Sequence, residues 1–401
     1  MTTDNAEVTP ARYTKLTLWQ RLDTRTLTMV GILLLLWLGF TAFTSGWFTE
    51  LDGSFLTPRN LSNLMRAMAV VGILGCGMVL VIVTGGIDLS VGTVAGFIGC
   101  MAAALQVWYD LNTPTVFFIC LIAGVVIGML EGAVIAYVGV AAFIVTLGGQ
   151  LVFRGGILFI TRGSTIAPLH NSFKFIGNAY FSHLWGWIFA IAAISFLLFS
   201  ELRKRAARKR YNTLTESSVF MLARWLCYSL VIFIATLVMN DYRGLPVPVF
   251  IMLVLMIIFT VIADKTLFGR KIYALGGNLA AARYSGINVK KNLTIVYALN
   301  GLLAAVAGLI LSARLNASPT QAANMNLELD AIAAAVIGGT SMTGGVGKVM
   351  GAILGALIMA TIDNGMSIMN LMPAWQFLVK GLILVAAVWF DMRTSRKKAA
   401  A

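Results

Sequence analysis

Seven ionisable residues stand in or beside long apolar stretches of this chain: Asp88, Glu131, Arg154, Glu328, Asp330, Asp363 and Lys380. A charge facing hydrocarbon costs a few kcal/mol or more, so each must face protein, water or another of the set. Two chemistries fit. Such groups can line a polar path for a polyhydroxylated solute, whose hydroxyls need donors and acceptors. They can equally be structural, as helix caps at Asp88 and Asp330 or as buried pairs that fix helix register. One by one the structural reading is sufficient; as a set they point to transport. The uncharged residues placed with them on the candidate path are Ser90, Thr146, Thr340 and Asn364.

Catalytic and metal chemistry find little support. His170 and His183 lie in one loop with no carboxylate or cysteine at ligand spacing, which reads as solvated histidine. Cys76, Cys100, Cys120 and Cys227 all fall in apolar runs, without a CxxC pair, and read as small packing residues rather than ligands or a disulfide framework. The stretch GVGK at 345–348 lacks a P-loop, because Met342 and Val349 occupy the places of the required Gly and Ser or Thr. No GxSxG or HExxH occurs, and no metal or cofactor site is expected. If ATP drives this protein, another polypeptide binds it.

The elements that hold these residues are membrane helices. Of 401 residues, 59% are hydrophobic and 11% charged, less than half the charged share of a soluble domain, about 25%. Lipid must therefore be the main solvent. The expected class is an all-α polytopic membrane protein. A crossing needs about 20 apolar residues, and twelve candidates occur, near 27–47, 61–84, 91–108, 114–138, 141–161, 184–200, 217–239, 246–263, 293–312, 327–341, 347–365 and 374–391. The runs at 141–161 and 327–341 are the weakest and are candidates for broken or re-entrant helices, so the expected count is ten to twelve. Residues 1–26 read as a cytoplasmic tail without a cleavable signal, 27–391 as the transmembrane domain and 392–401 as a second cytoplasmic tail.

The net charge of +14 does not imply nucleic acid, because the basic residues occupy short tracts between apolar runs. With the N-terminus inside, 21 of the 30 Lys and Arg residues fall on the cytoplasmic side, chiefly in a basic loop at 201–216 and a second loop at 264–292. Six fall outside: Arg59, Arg66, Arg162, Lys174, Arg243 and Arg314. That bias places both termini in the cytoplasm. Of the six, Arg59, Arg162, Arg243 and Arg314 are candidates to hold the acidic rim of an external partner, or are simply solvated charges.

Two stretches resemble one another, TGGIDLSVG at 84–92 and IGGTSMTGG at 337–345. An internal repeat with unwound helix ends at matching positions would explain the likeness; so would chance similarity of two glycine-rich turns. In the loop at 264–292, Asn278 can cap a short helix that Gly286 stops. Such a helix suits docking in a partner's groove, with an interfacial connector as the plainer alternative.

That loop also carries a resemblance. FGRKIYALGGN at 268–278 and AARYSGI at 281–287 resemble the coupling segment of the monosaccharide ABC permeases, the membrane subunits of ribose, xylose, arabinose and galactose importers. Further matches are LTPRNLSNL at 56–64, GIDLSVG at 86–92, FIVTL at 143–147 and AVIGGT at 335–340, so the likeness covers roughly 55–391. NDYRGLPVP at 240–248, DNGMS at 363–367, VKG at 379–381 and the insert at about 201–263 are most similar to the branch that carries D-xylose. The resemblance implies an ABC importer permease fold with a cytoplasmic coupling helix, as a homodimer in the bacterial inner membrane. Implied partners are cytoplasmic ABC ATPase subunits, a periplasmic sugar-binding protein and the monosaccharide itself. It implies ATPase coupling through Gly276, Gly277, Asn278, Ala281, Arg283 and Gly286. Glu131 departs from the pattern, since family members often have Asn before this Gly. A self-sufficient ion-coupled sugar carrier and a membrane enzyme are the rival readings; the second lacks a polar catalytic cluster in the sequence.

Overall fold

The structure, a computed structural model, describes residues 24–45, 54–210, 218–320, 322 and 325–399. The tail 1–23 lies outside the described residues, as do 211–217 of the basic loop. The chain forms helices α1 (Thr24–Thr44), α2 (Pro58–Val83), α3 (Val91–Val107), α4 (Thr113–Ala133), α5 (Ala142–Thr161), α6 (Asn171–Asn178), α7 (His183–Arg210) and α8 (Ser218–Asn240). There follow α9 (Val247–Lys265), α10 (Leu267–Gly277), α11 (Leu279–Tyr284), α12 (Val289–Leu315), α13 (Leu327–Ile337), α14 (Val349–Ile368) and α15 (Pro373–Ala399). Residues 201–210, read above as loop, continue α7 as helix, and α15 runs on through most of the expected C-terminal tail.

Among the described residues ten helices are long and apolar enough to cross a membrane. The two that fall short are α3, at 17 residues, and α13, at 11 residues, or about 25 and 16 Å of rise against a hydrocarbon core of about 30 Å. Of the two weakest sequence candidates, 327–341 thus yields a short helix. The run at 141–161 instead makes a full helix of 20 residues, and the second short one is at 91–107. Hydropathy alone cannot separate these cases, because α3 is as apolar as its neighbours and is shortened only by the polar turn before it.

α2 is the axis of the bundle, buried along most of its length from Leu61 to Val83 and enclosed by α9, α12, α13 and α14. Thr57 caps its start by accepting from the Asn60 amide, with Pro58 in the first turn, where a missing N–H costs nothing. α12 lies beside it and crosses α4 at backbone contact. A Cβ added to Gly301 would strike the Gly124 carbonyl, and one added to Gly124 would strike the Gly301 carbonyl. Small residues are what allow this approach where lipid offers no hydrophobic drive between helices. The peripheral α7 and α8 bury little, and bare apolar side chains such as Phe196, Phe199, Leu226 and Val231 to the surrounding lipid.

The bundle has two ends. The near end carries α10, α11 and the end of α2, joined where the Gly345 amide donates to the Val83 carbonyl at 2.9 Å. The far end carries α6, whose Gly177 carbonyl and Asn178 side chain receive the Arg66 guanidinium, the former at 2.9 Å. Between these ends the short helices make incomplete crossings of opposite sense. The chain leaves α2 at the near end and rises through 84–90 before α3 fills the far half. It returns from α12 at the far end through 316–326 before α13 fills the near half.

Replacing Gly301 by Val drives two methyl groups into a backbone carbonyl that cannot yield. A loss of about 1–3 kcal/mol or more is expected, seen as a fall of several degrees in the unfolding temperature of the detergent-solubilised protein. Gly155→Ala, where an added Cβ meets nothing within 4 Å, should leave that temperature unchanged.

Candidate functional site

The N-termini of the two short helices meet inside the bundle. Asp88, in the turn before α3, accepts from the Ser90 amide at 2.8 Å and the Ser90 hydroxyl at 2.6 Å, and its other oxygen accepts from Asn300 Nδ2 of α12 at 2.7 Å. Three donors on one carboxylate, at the positive end of a helix, are the arrangement a buried anion requires. The N-cap residue of α3 is Ser90, with no side-chain cap bond, so Asp88 holds the turn before the helix and is not its cap. Ser90 Oγ also lies 3.0 Å from Glu131 Oε2 on α4, so one hydroxyl sits between two carboxyl groups. Thr146 of α5 closes the same cluster, its hydroxyl 3.3 Å from the Ile87 carbonyl. Asp88, Ser90, Glu131 and Thr146 are all buried.

The partner half-helix begins directly against this cluster. A side chain on Gly92 would occupy the place of the Glu328 carboxylate, in the first turn of α13. Glu328 Oε1 accepts from Gln150 Nε2 at 2.7 Å, and its other oxygen has no hydrogen-bond partner. The same holds for Glu131 Oε1, Asn300 Oδ1 and the Tyr297 hydroxyl. Unpartnered buried polar atoms cost about 1–3 kcal/mol each, and four of them around one meeting point mark a place built for something besides packing.

A second cluster lies where α13, α14 and α15 face one another. Lys380 Nζ lies 2.9 Å from Asp330 Oδ2 and 2.7 Å from Asp363 Oδ2, a cation held between two anions. A cavity of about 260 Å³ opens beside it, lined by Asn326, Asp330, Lys380 and the ring of Phe377 among apolar neighbours. Amide, carboxylate and ammonium groups beside an aromatic face make a surface that can bind hydroxyls and a C–H face together. Asn364 is elsewhere, in a reciprocal amide pair with Asn60 with both bonds at 2.8 Å. Thr340 is buried at the near end against Gly347. The eight candidate path residues thus fall into two clusters and two separate positions.

The similarity between 84–92 and 337–345 does not mark equivalent positions. The first stretch leads into a short helix and the second leaves one; the positional counterpart of 84–90 is 316–326. The two similar stretches instead converge at the near end, through Val83 and Gly345. Gly276 of α10 completes that junction, since a Cβ there would collide with the Val83 carbonyl and crowd the Gly345 amide. Tyr273 ties the same helix to the loop, donating to the Gly347 carbonyl at 2.8 Å. Burial, with the Asp264 carboxylate adding to it, pushes its phenol up to about 12, so it remains a donor at physiological pH.

Beyond the junction α10 and α11 stand at the surface. Thr266 caps α10 and Asn278 caps α11, each accepting at 3.0 Å from the amide three residues on. Gly286 ends the segment at φ 77°. Asn278, Ala281, Arg283 and Gly286 are exposed, and so is Gly277, while Gly276 is tucked into the junction. Tyr284 is 93% exposed with Leu279 beside it at 46%, an apolar contribution that sequence reasoning missed because a lone Tyr and Leu carry no motif. At the far end Arg59, Arg162 and Arg243 are exposed, the last over the Tyr242 ring at 5.3 Å; Arg314 is half-buried.

Asn300, Gln150 and Asp391 are further site residues without a sequence signal, because each is an isolated polar residue whose partner is distant in the chain, and Tyr297 is another, brought to the site by the crossing of α12. Asp391 Oδ2 accepts from the Ser341 hydroxyl at 3.0 Å and the Met342 amide at 3.2 Å, fixing α15 to the loop after α13. His170, read as solvated, lies 3.1 Å from Asp110. Cys76, Cys100 and Cys120 are buried and Cys227 is exposed. Among the described residues no three His, Cys, Asp or Glu side chains come together as a metal site.

Residues 60–388 match the family model described as "branched-chain amino acid transport system / permease component". The chain is 43% identical over 376 residues to the xylose transport system permease protein XylH of Escherichia coli K12, covering 94% of each chain. Against XylH of Haemophilus influenzae it is 44% identical over 348 residues, 86% of this chain and 92% of that one. Against the ribose import permease protein RbsC of Escherichia coli K12 it is 36% identical over 344 residues, 86% and 88% of the two chains. No solved structure matches the chain. The chain belongs to this permease family, and within it to the monosaccharide ABC transport permeases: it is the membrane-spanning permease subunit of a sugar importer.

Proposed function

We propose that this subunit carries D-xylose inward across the bacterial inner membrane, as a homodimer with both termini in the cytoplasm. Cytoplasmic ABC ATPase subunits drive it, and a periplasmic binding protein delivers the sugar. The observation that carries this reading is the near-end junction, where Gly276 of the exposed α10–α11 pair packs on Val83 and Gly345. Those two residues border the segments leading to α3 and from α13. A push on α10–α11 is therefore felt by both incomplete crossings, whose N-termini meet at Asp88, Ser90 and Glu328. The excess of Lys and Arg at the near end supports its cytoplasmic placement, and xylose is the sugar named for the relatives that are 43% and 44% identical.

In this mechanism Gly277, Asn278, Ala281, Arg283, Tyr284 and Gly286 form the handle that the ATPase grips. Arg59, Arg162 and Arg243 meet the acidic rim of the binding protein, with Arg314 behind them. The sugar passes the Asp88–Ser90–Glu131–Thr146 cluster and the Asp330–Asp363 cluster, with Thr340 and Asn364 toward the two ends of the path. Contacts along it are weak and distributed, since a tight site inside the membrane would hold the sugar back.

Arg283→Glu should abolish co-purification of the ATPase and labelled xylose uptake in cells while the protein stays in the membrane fraction. Uptake at the parental rate would remove the docking role, and xylose accumulation in liposomes by this chain alone would replace the whole reading with a secondary carrier. Lys380→Met leaves two carboxylates facing each other and should cost about 3–5 kcal/mol in denaturant unfolding. Adding Asp330→Asn and Asp363→Asn should recover most of that stability, and if these groups touch sugar, uptake should stay impaired in the stable triple variant.

A further inference from the structure

The hairpin α7–α8 takes no part in the mechanism above, yet it holds a cavity of about 350 Å³ near its tip. Glu201, Lys204, Arg205 and Arg208 of α7 stand at positions i, i+3, i+4 and i+7, and so do Met221, Arg224, Trp225 and Tyr228 of α8. Each set therefore lies on one face, and the two faces close on one another around the cavity. Four cations and one carboxylate line it. That carboxylate is already engaged, with Glu201 Oε2 2.6 Å from Arg224 Nη2 and Oε1 3.2 Å from Lys204 Nζ. Arg205 reaches across the hairpin to the Ser218 hydroxyl at 2.7 Å. Among the described residues of the lining, cations outnumber carboxylates by three.

Its position narrows the occupant. α7 and α9 both start at the far end, where Phe189 stacks on Phe250 and Phe181 meets that ring edge-on, so the tip of the hairpin lies at the near end. The lining also holds the apolar side chains of Leu197 and Met221, and outside it the same two helices bare Phe199, Leu202 and Leu226, each between 49% and 56% exposed. Trp225, with its indole N–H bonded to the Ile194 carbonyl at 3.2 Å, and Tyr228 stand at the boundary, as aromatic side chains do at a headgroup level. Cations above and hydrocarbon-facing side chains below match a phosphodiester attached to acyl chains. A soluble anion would leave the apolar half unused.

We propose that the α7–α8 hairpin holds the headgroup of an anionic phospholipid, with its phosphodiester against Lys204, Arg205 and Arg208 and its acyl chains along the exposed faces of the two helices. Arginine pairs suit a phosphate diester because each guanidinium offers parallel donors, and basic pockets between membrane helices are sites for anionic headgroups. The Glu201–Arg224 pair sets the width of the cavity and withholds part of its charge.

The test uses the full chain in detergent, loaded from phosphatidylcholine vesicles with and without phosphatidylglycerol, with bound lipid read by native mass spectrometry. Phosphatidylglycerol should be retained over phosphatidylcholine. The double variant R205Q/R208Q should lose this retention on the order of tenfold. The control pair R203Q/R210Q, equal in charge but outside the cavity lining, should keep it. Glu201→Gln acts in the opposite direction and should raise retention. Equal retention in the two double variants would overturn the proposal, as would displacement of bound lipid by inorganic phosphate alone, which would make the site one for a soluble anion.

Discussion

The structure depends on the carboxylate of Asp88. In hydrocarbon no water is available to serve a broken helix, so a chain that stops being helical at mid-membrane must find every donor and acceptor within the protein. Asp88 does this for the turn before α3 by accepting the Ser90 amide and hydroxyl, and it accepts a further hydrogen bond from the neutral side-chain amide of Asn300 on α12. Without that carboxylate, the Ser90 amide and hydroxyl and the Asn300 amide would lose their shared acceptor inside the bundle. With it, the chain can abandon one half of a crossing and leave polar surface there.

The second half-crossing follows the same physics with the direction reversed. α13 begins where α3 begins and runs to the near end, and its first turn holds Glu328 against Gly92 and Asp330 against Lys380. Two helix N-termini and several acidic side chains are thereby concentrated at one depth, enclosed by α2, α4, α5, α12 and α14. A bundle of ten uninterrupted helices would have no such layer. The junction of Val83, Gly345 and Gly276 gives the layer its connection to the surface, because backbone touches backbone there and a displacement of α10 has no soft side chain to dissipate into.

Charge is divided between the two ends in a way that serves both insertion and partnership. At the far end Arg66 is locked against α6 and leaves Arg59, Arg162 and Arg243 outward. At the near end the basic residues lie on α7, on α10–α11 and at the start of α12, so the side chains that carry the charge bias also surround the exposed α10–α11 pair and line the α7–α8 cavity. The ring of cations at the α7–α8 tip is thus continuous with the topological signal instead of an addition to it.

The sequence by itself determined the membrane class, the positions of nearly all the helices, the near-end charge bias and the capped segment after Asn278, because these are local properties: apolar length, charge between runs, a cap three residues before the amide it serves. It also singled out Asp88, Glu131, Glu328, Asp330, Asp363 and Lys380, since any charge within an apolar run is conspicuous. Only the tertiary structure decided that the crossing at α3 is incomplete, because α3 carries no charge and its shortness comes from the turn that Asp88 and Asn300 stabilise across 212 positions of sequence. It alone paired Lys380 with both Asp330 and Asp363, and it alone showed that 84–92 and 337–345 meet without being equivalent. Glycine contacts such as Gly124 with Gly301 belong to the same class. A residue without a side chain announces nothing of its neighbour, and the neighbour is chosen by how whole helices cross.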